Sequence, residues 1–252
     1  MKLATLALGL ALTASAAHAQ LAPADKITTS AGPLTIQPVT HASLVLSVKN
    51  TTIYADPSGN PALFKGLAGP DVVLITDIHG DHFDTTALAN IGASKATLVV
   101  PQVVADQLPA AYKSHVVVLH NGGTTTVKGI GIKAIPMYNL PESATAMHTK
   151  GRGNGYVLTI GGKQIYLSGD TQGIPEMRAL KNIDVAFVCM NLPYTMDVPE
   201  AADAVLAFKP GIVYPYHYRG KNGLSDVNLF KEKVNAGDKA IDVRLRNWYP
   251  QQ

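Results

Sequence analysis

Residues 77–82 read Asp-Ile-His-Gly-Asp-His and follow the apolar run Val72–Ile75 and Thr76. Four side chains able to hold a metal ion, Asp77, His79, Asp81 and His82, therefore fall within six residues on a loop at a strand end. Imidazoles and carboxylates crowded at one point lack partners or repel one another unless a cation gathers them. Gly80 removes a side chain from the middle and lets the loop turn tightly. A fold that carries such a loop must bring its strand ends together on one rim, where other loops supply further donors.

The rest of the chain offers those donors, each where a β-type run stops. His148 follows the Ile130–Met137 run and Tyr138, and precedes Gly151-Arg152-Gly153-Asn154-Gly155. Asp170 closes Ile165-Tyr166-Leu167-Ser168-Gly169, and His217 follows Ile212–Tyr216. Further strands are expected at Leu34–Val39, Ser43–Val48, Thr52–Ala55, Leu98–Val100, Val116–Leu119, Thr124–Val127, Gly155–Ile160, Lys163–Leu167, Asp184–Cys189 and Ile241–Leu245. Helices are expected after Phe83 with Asp84 as cap, from Pro101 to about Tyr112, over Ile174–Leu180, from Pro199 to Phe208 behind Asp197, and behind Ser225 or Asp226 to about Asn235. Strands interleaved with helices in this way predict two sheets covered by helices, an α/β four-layer α/β/β/α sandwich formed by residues 20–252 as one domain.

Composition narrows the function. Hydrophobic residues are 46% and charged residues 15%, which excludes a disordered chain. Cys189 is the single cysteine and lies in Val185–Met190, so a disulfide scaffold is excluded and a buried, inert thiol is expected. A net charge of +3 with scattered basic residues argues against a nucleic-acid partner. Residues 1–19 combine Lys2, an apolar stretch from Leu3 to Leu12 and the small-residue pattern Ala17-His18-Ala19. That is the pattern of a cleaved secretory signal peptide, which predicts a periplasmic or secreted protein without a membrane partner once the leader is removed.

The Asp77–His82 stretch resembles the H-x-H-x-D-H signature of the metallo-β-lactamase superfamily, most closely its lactonase-like branch, with Asp77 in place of the first histidine. The later donors occur in the order that family uses. The resemblance implies two divalent metal ions: one held by Asp77, His79 and His148, the other by Asp81, His82 and His217, with Asp170 bridging them. Zinc is the default, and manganese or iron(II) are the alternatives that an added carboxylate favours. It further implies hydrolysis of a small-molecule substrate by a metal-bridging hydroxide, with Asp170 and Asp81 as the catalytic carboxylates. His41 and Asp56 resemble positions below the metals that orient ligands. Arg152 and Tyr194 are expected to bind substrate, Arg152 by clamping a carboxylate or phosphate. Tyr138 and Tyr218 flank ligands and are expected to line the same pocket.

The expected substrate is a lactone or related ester, a choice that rests on the resemblance. Phosphodiester hydrolysis, a β-lactamase activity and a non-catalytic metal-binding role are the alternatives. No G-x-S-x-G or G-x-x-x-x-G-K-[ST] motif points to a serine nucleophile or a phosphate loop.

Overall fold

A computed structural model describes residues 21–250, so the leader expected over residues 1–19 lies outside the described residues. The first half of the chain forms strands β1 (Asp25–Thr29), β2 (Gly32–Thr40), β3 (Ser43–Val48), β4 (Thr51–Ala55), β5 (Val72–Leu74), β6 (Thr97–Val100) and β7 (Val116–Val118), with helices α1 (Thr85–Asn90) and α2 (Gln102–Gln107). The second half forms β8 (Thr124–Val127), β9 (Ile130–Met137), β10 (Gly153–Ile160), β11 (Lys163–Leu167), β12 (Val185–Cys189), β13 (Ile212–Tyr216), the small pair β14 (Arg219–Gly220) and β15 (Gly223–Leu224), and β16 (Asp242–Val243). Helices α3 (Pro175–Arg178), α4 (Val198–Phe208) and α5 (Val227–Gly237) lie between them.

One seven-stranded sheet runs in the order β1 to β7 and the other in the order β16-β13-β12-β11-β10-β9-β8. Each begins as antiparallel hairpins and continues parallel: β4, β5, β6 and β7 pair in parallel, as do β11, β12, β13 and β16. The parallel strands need crossovers, and the helices supply them.

Period-two alternation assigns the faces. Val72 and Leu74 join Leu34, Ile36, Leu44, Leu46 and Ile53 in one buried cluster with Ile132, Ala134, Leu158 and Ile165 of the other sheet. Val73 and Ile75 point the other way, into a second cluster with Leu98, Val100, Leu88 of α1 and Val104 of α2. On the far face of the second sheet, Ala201, Val205 and Phe208 of α4 and Phe230 and Val234 of α5 join the main cluster. The layers are therefore helix, sheet, sheet, helix, as the alternation of elements predicts.

The departures from expectation are local. β1, Asp-Lys-Ile-Thr-Thr, is an edge strand whose polar composition hides it from a hydrophobicity reading. Helix α2 stops at Gln107 and not near Tyr112, because Leu108 precedes Pro109 and takes an extended ψ of 134°. Helix α3 covers only Pro175–Arg178 of the expected Ile174–Leu180, and the closing strand shrinks to Asp242–Val243. Asp226, not Ser225, caps α5 by accepting from the Asn228 and Leu229 amides.

Candidate metal centre

The ends of β2, β4, β5, β9, β11 and β13 lie on one rim, and His41, Asp56, the Asp77–His82 loop, His148, Asp170 and His217 occupy it. The loop after β5 folds into a tight turn in which the His82 and Phe83 amides both donate to the His79 carbonyl, at 3.0 and 2.8 Å. Asp84 then accepts from the Thr86 and Ala87 amides and starts α1. Turn and cap together fix Asp77, His79, Asp81 and His82 toward the rim.

Ligand atoms of His82, Asp170 and His217 all lie within 4.8 Å of one another, and Asp81 adjoins them beside His217 and His41. His217 Nε2 lies 3.2 Å from His82 Nε2, 3.2 Å from Asp170 Oδ1 and 3.4 Å from Asp81 Oδ2. His82 Nε2 lies 3.4 Å from Asp170 Oδ2 and 3.9 Å from Asp81 Oδ1. Ligand atoms held about 2.0–2.2 Å from a tetrahedral zinc stand roughly 3.3–3.6 Å from one another. The spacing therefore suits a divalent cation. So does the chemistry: His82 Nδ1 donates to Asp56 Oδ2 at 2.9 Å, which turns its Nε2 toward the other ring nitrogen and the carboxylates.

A second cluster adjoins the first. Asp77 Oδ2 is 2.9 Å from His79 Nδ1 and 3.9 Å from His148 Nε2. Asp170 Oδ2 reaches both clusters, 3.2 Å from His148 Nε2 and 3.4 Å from His82 Nε2. Both ring nitrogens of His148, together with Asp170 Oδ1 and His217 Nδ1, are buried without a hydrogen-bond partner among the described residues. Buried polar atoms are seldom left orphaned, and at a donor cluster a metal ion is the natural partner.

The field around these groups is strong. Burial alone would raise the Asp170 pKa, but the neighbouring His217, His82 and His148 hold it well below the usual carboxylate range. Burial alone would lower that of His82, but Asp170 and Asp56 lift it well above the usual histidine value. Asp77 is likewise held low against its burial by His79, His82 and Arg152.

Two supports stand behind the donors. Asp56 accepts from the Thr76 amide at 2.7 Å, the Thr76 hydroxyl at 2.6 Å and His82 Nδ1. His41 Nε2 lies 3.1 Å from Asp81 Oδ2, while its Nδ1 lies 2.8 Å from the Tyr249 hydroxyl. Burial lowers the His41 pKa despite Asp81, so the ring is neutral near pH 7, accepting from Tyr249 and donating to Asp81. His41, Asp56 and His217 all have left-handed backbones, with φ of 51°, 43° and 46°. Strained φ values in non-glycine residues cluster at functional sites.

Some expected roles fall elsewhere. Arg152 Nε and Nη2 lie 3.1 and 2.8 Å from Asp77 Oδ1 and Oδ2, so the guanidinium is engaged by an expected metal ligand. The Tyr138 hydroxyl donates to Glu176 and that of Tyr218 to the Arg246 carbonyl. Tyr194 is half-buried in the loop after β12, and its carbonyl accepts from Asn139. Cys189 is buried, with its thiol pushed up to about 12 by desolvation and by the charge of Asp170. Thr76 and Tyr249 were not anticipated. Thr76 adjoins the loop and its hydroxyl was a readable signal, whereas Tyr249 lies 208 residues from His41 and gave none.

Residues 35–217 match the beta-lactamase superfamily domain family. A UPF0173 metal-dependent hydrolase of Pyrococcus abyssi is 34% identical over 208 residues, spanning 77% of this chain and 88% of the relative. A solved structure from Parabacteroides distasonis, named as a candidate metal-dependent hydrolase, is 36% identical with a TM-score of 0.79, covering 89% of this chain and 98% of that one. The structure of Igni18, a metallo hydrolase from Ignicoccus hospitalis, shares the fold at 24% identity and a TM-score of 0.70, covering 84% of this chain and 94% of that one. With donor clusters gathered on one rim of its fold, the chain belongs to the beta-lactamase superfamily domain family and is a metal-dependent hydrolase.

Proposed function

We propose that the protein is exported and hydrolyses a lactone or a related ester at a centre of two divalent ions, zinc by default and manganese or iron(II) as alternatives. The observation that carries the hydrolytic centre is Asp170, whose two carboxylate oxygens face His217 on one side and His82 and His148 on the other. Asp81, His82, His217 and Asp170 would hold one ion, and Asp77, His79, His148 and Asp170 the other. Such ions, when bound, supply an activated water and polarise the substrate oxygen that gains charge.

The protein's own residues do the rest. Asp56 fixes the His82 ring through Nδ1, and Thr76 fixes Asp56. Asp81 is 41% exposed, so the centre opens to solvent on its side. There His41 donates to Asp81 and holds its carboxylate in place, which leaves Asp81 and Asp170 as the carboxylates that would orient the groups at the reacting atoms.

An ester is favoured over a phosphodiester because Arg152, the guanidinium expected to meet a phosphate, is engaged by Asp77. Met1–Ala19 supports export, with a mature chain beginning at Gln20 and residing in the periplasm or outside the cell.

The test is a hydrolysis screen of the mature protein with zinc, manganese or iron(II), using γ- and δ-lactones, a chromogenic phosphodiester and a chromogenic β-lactam. Turnover of a lactone or simple ester, abolished by a chelator, is expected. Turnover confined to the phosphodiester or the β-lactam would overturn the ester assignment. N-terminal sequencing of exported protein should begin at Gln20, and intact Met1 in the cytoplasm would overturn export.

A further inference from the structure

Arg152 adds a fixed positive charge to one half of the centre. Its two-pronged contact with Asp77 meets a carboxylate that is fully buried. Its Nη2 also stands 3.4 Å from His79 Nε2, the ring nitrogen that faces away from Asp77, since Nδ1 is the one 2.9 Å from Oδ2. His148 Nε2, 3.9 Å from the same Oδ2, has no hydrogen-bond partner among the described residues. The guanidinium thus contacts both Asp77 oxygens and the Nε2 edge of His79, while Asp77, His79 and His148 still offer ligand atoms within 4.8 Å of one another.

Charge then separates the two halves. Asp81, His82, His217 and Asp170 surround their position with carboxylates and imidazole rings, and among the described residues the ion-pair contacts they make include no arginine or lysine. At the Asp77, His79 and His148 position the carboxylate is already paired. A carboxylate that shares its oxygens with a guanidinium is a weaker donor, and a nearby positive charge repels a divalent ion, most strongly where water is scarce.

We propose that Asp77 and Arg152 act as one neutral ligand unit, and that this unit makes the Asp77–His79–His148 position the weaker of two metal positions. Arg152 is a positioning residue that sets metal affinity by holding and neutralising Asp77. The inference rests on reading the site as a metal centre.

The experiment is a titration of mature protein with Zn²⁺, and separately with Mn²⁺, against a chromophoric chelator. It compares the wild type with Arg152→Met, Asp77→His and the double variant. The wild type is expected to bind with two unequal affinities, or to show only the tighter ion within range. Arg152→Met should tighten the weaker position, or bring it into range, by about tenfold or more. Asp77→His leaves the Arg152 charge unopposed and should weaken that position by about tenfold. The double variant, again neutral, should return to within about threefold of the wild type.

Unchanged or weaker binding in Arg152→Met would overturn the proposal, as would a double variant no better than Asp77→His. Arg152→Met strips a buried carboxylate of its guanidinium partner and can fail to fold. In that case the comparison of Asp77→His with the double variant, neither of which carries that carboxylate, decides alone. A wild type that binds neither metal would overturn the metal-centre reading and this inference together, whereas a wild type that binds both ions but ignores position 152 would overturn the inference alone.

Discussion

At position 56 a buried carboxylate does its work one step removed from the metal donors. Asp56 receives the Thr76 amide and hydroxyl and His82 Nδ1, so it sets both the tautomer and the angle of that ring. Groups placed in this way typically change metal affinity about 10–100-fold when removed. Asp56→Ala should therefore lose metal to a chelator at a concentration lower by that factor while the protein remains folded, and unchanged affinity would show that His82 needs no orientation. The donors themselves were legible because Asp77, His79, Asp81 and His82 are local in sequence, and His148, Asp170 and His217 each close a β run. What sequence could not show was pairing at a distance. Arg152 lies 75 residues from Asp77 and Tyr249 lies 208 from His41, and only the closed sandwich brings them together.

At the scale of elements, the position of Asp170 depends on how closely β10 and β11 approach. A Cβ at Gly155 of β10 would stand 2.8 Å from the Ser168 carbonyl oxygen and 2.9 Å from that of Leu167, both backbone atoms on the path to Asp170. Gly155→Ala must push that path away. Overpacking of this kind costs roughly 1–3 kcal/mol, and in a chain of this size about 2–4 °C of melting temperature is lost per kcal/mol. Thermal unfolding should show that drop, together with weaker metal binding because Asp170 moves. Gly155 was readable only as part of a glycine-rich loop and strand start, since glycine carries no side chain from which its neighbour can be inferred. The β10–β11 hairpin itself was plain from Gly161-Gly162 between two apolar runs. Edge strand β1 was not, because it packs through Ile27 alone among polar neighbours.

Across the whole molecule, the two sheets are also tied away from the metal rim. Asp25 of β1 accepts from the Tyr214 hydroxyl of β13 and from Arg246, each at 2.6 Å. Burial works to raise the Asp25 pKa, but these two bonds and the Arg246 charge outweigh it and hold it below 3.8. A carboxylate depressed in the folded state adds stability above its unfolded pKa and gives it up as pH falls through the folded value. Asp25→Asn should therefore cost about 1–2 kcal/mol near neutral pH, measured by denaturant unfolding, with the gap closing below pH 3.8; a gap constant with pH would contradict the assignment. The layered architecture was legible because each half repeats strands and helices with clear alternation, whereas the ties between halves depend on packing that no local pattern records. The central claim is that Asp170 gathers metal between His82, His148 and His217. Elemental mass spectrometry of the purified protein and of Asp170→Asn tests it most directly. At least one equivalent of zinc, manganese or iron is expected in the wild type, with most of it lost in the variant; equal metal content in the two, or none in the wild type, would contradict the role of Asp170.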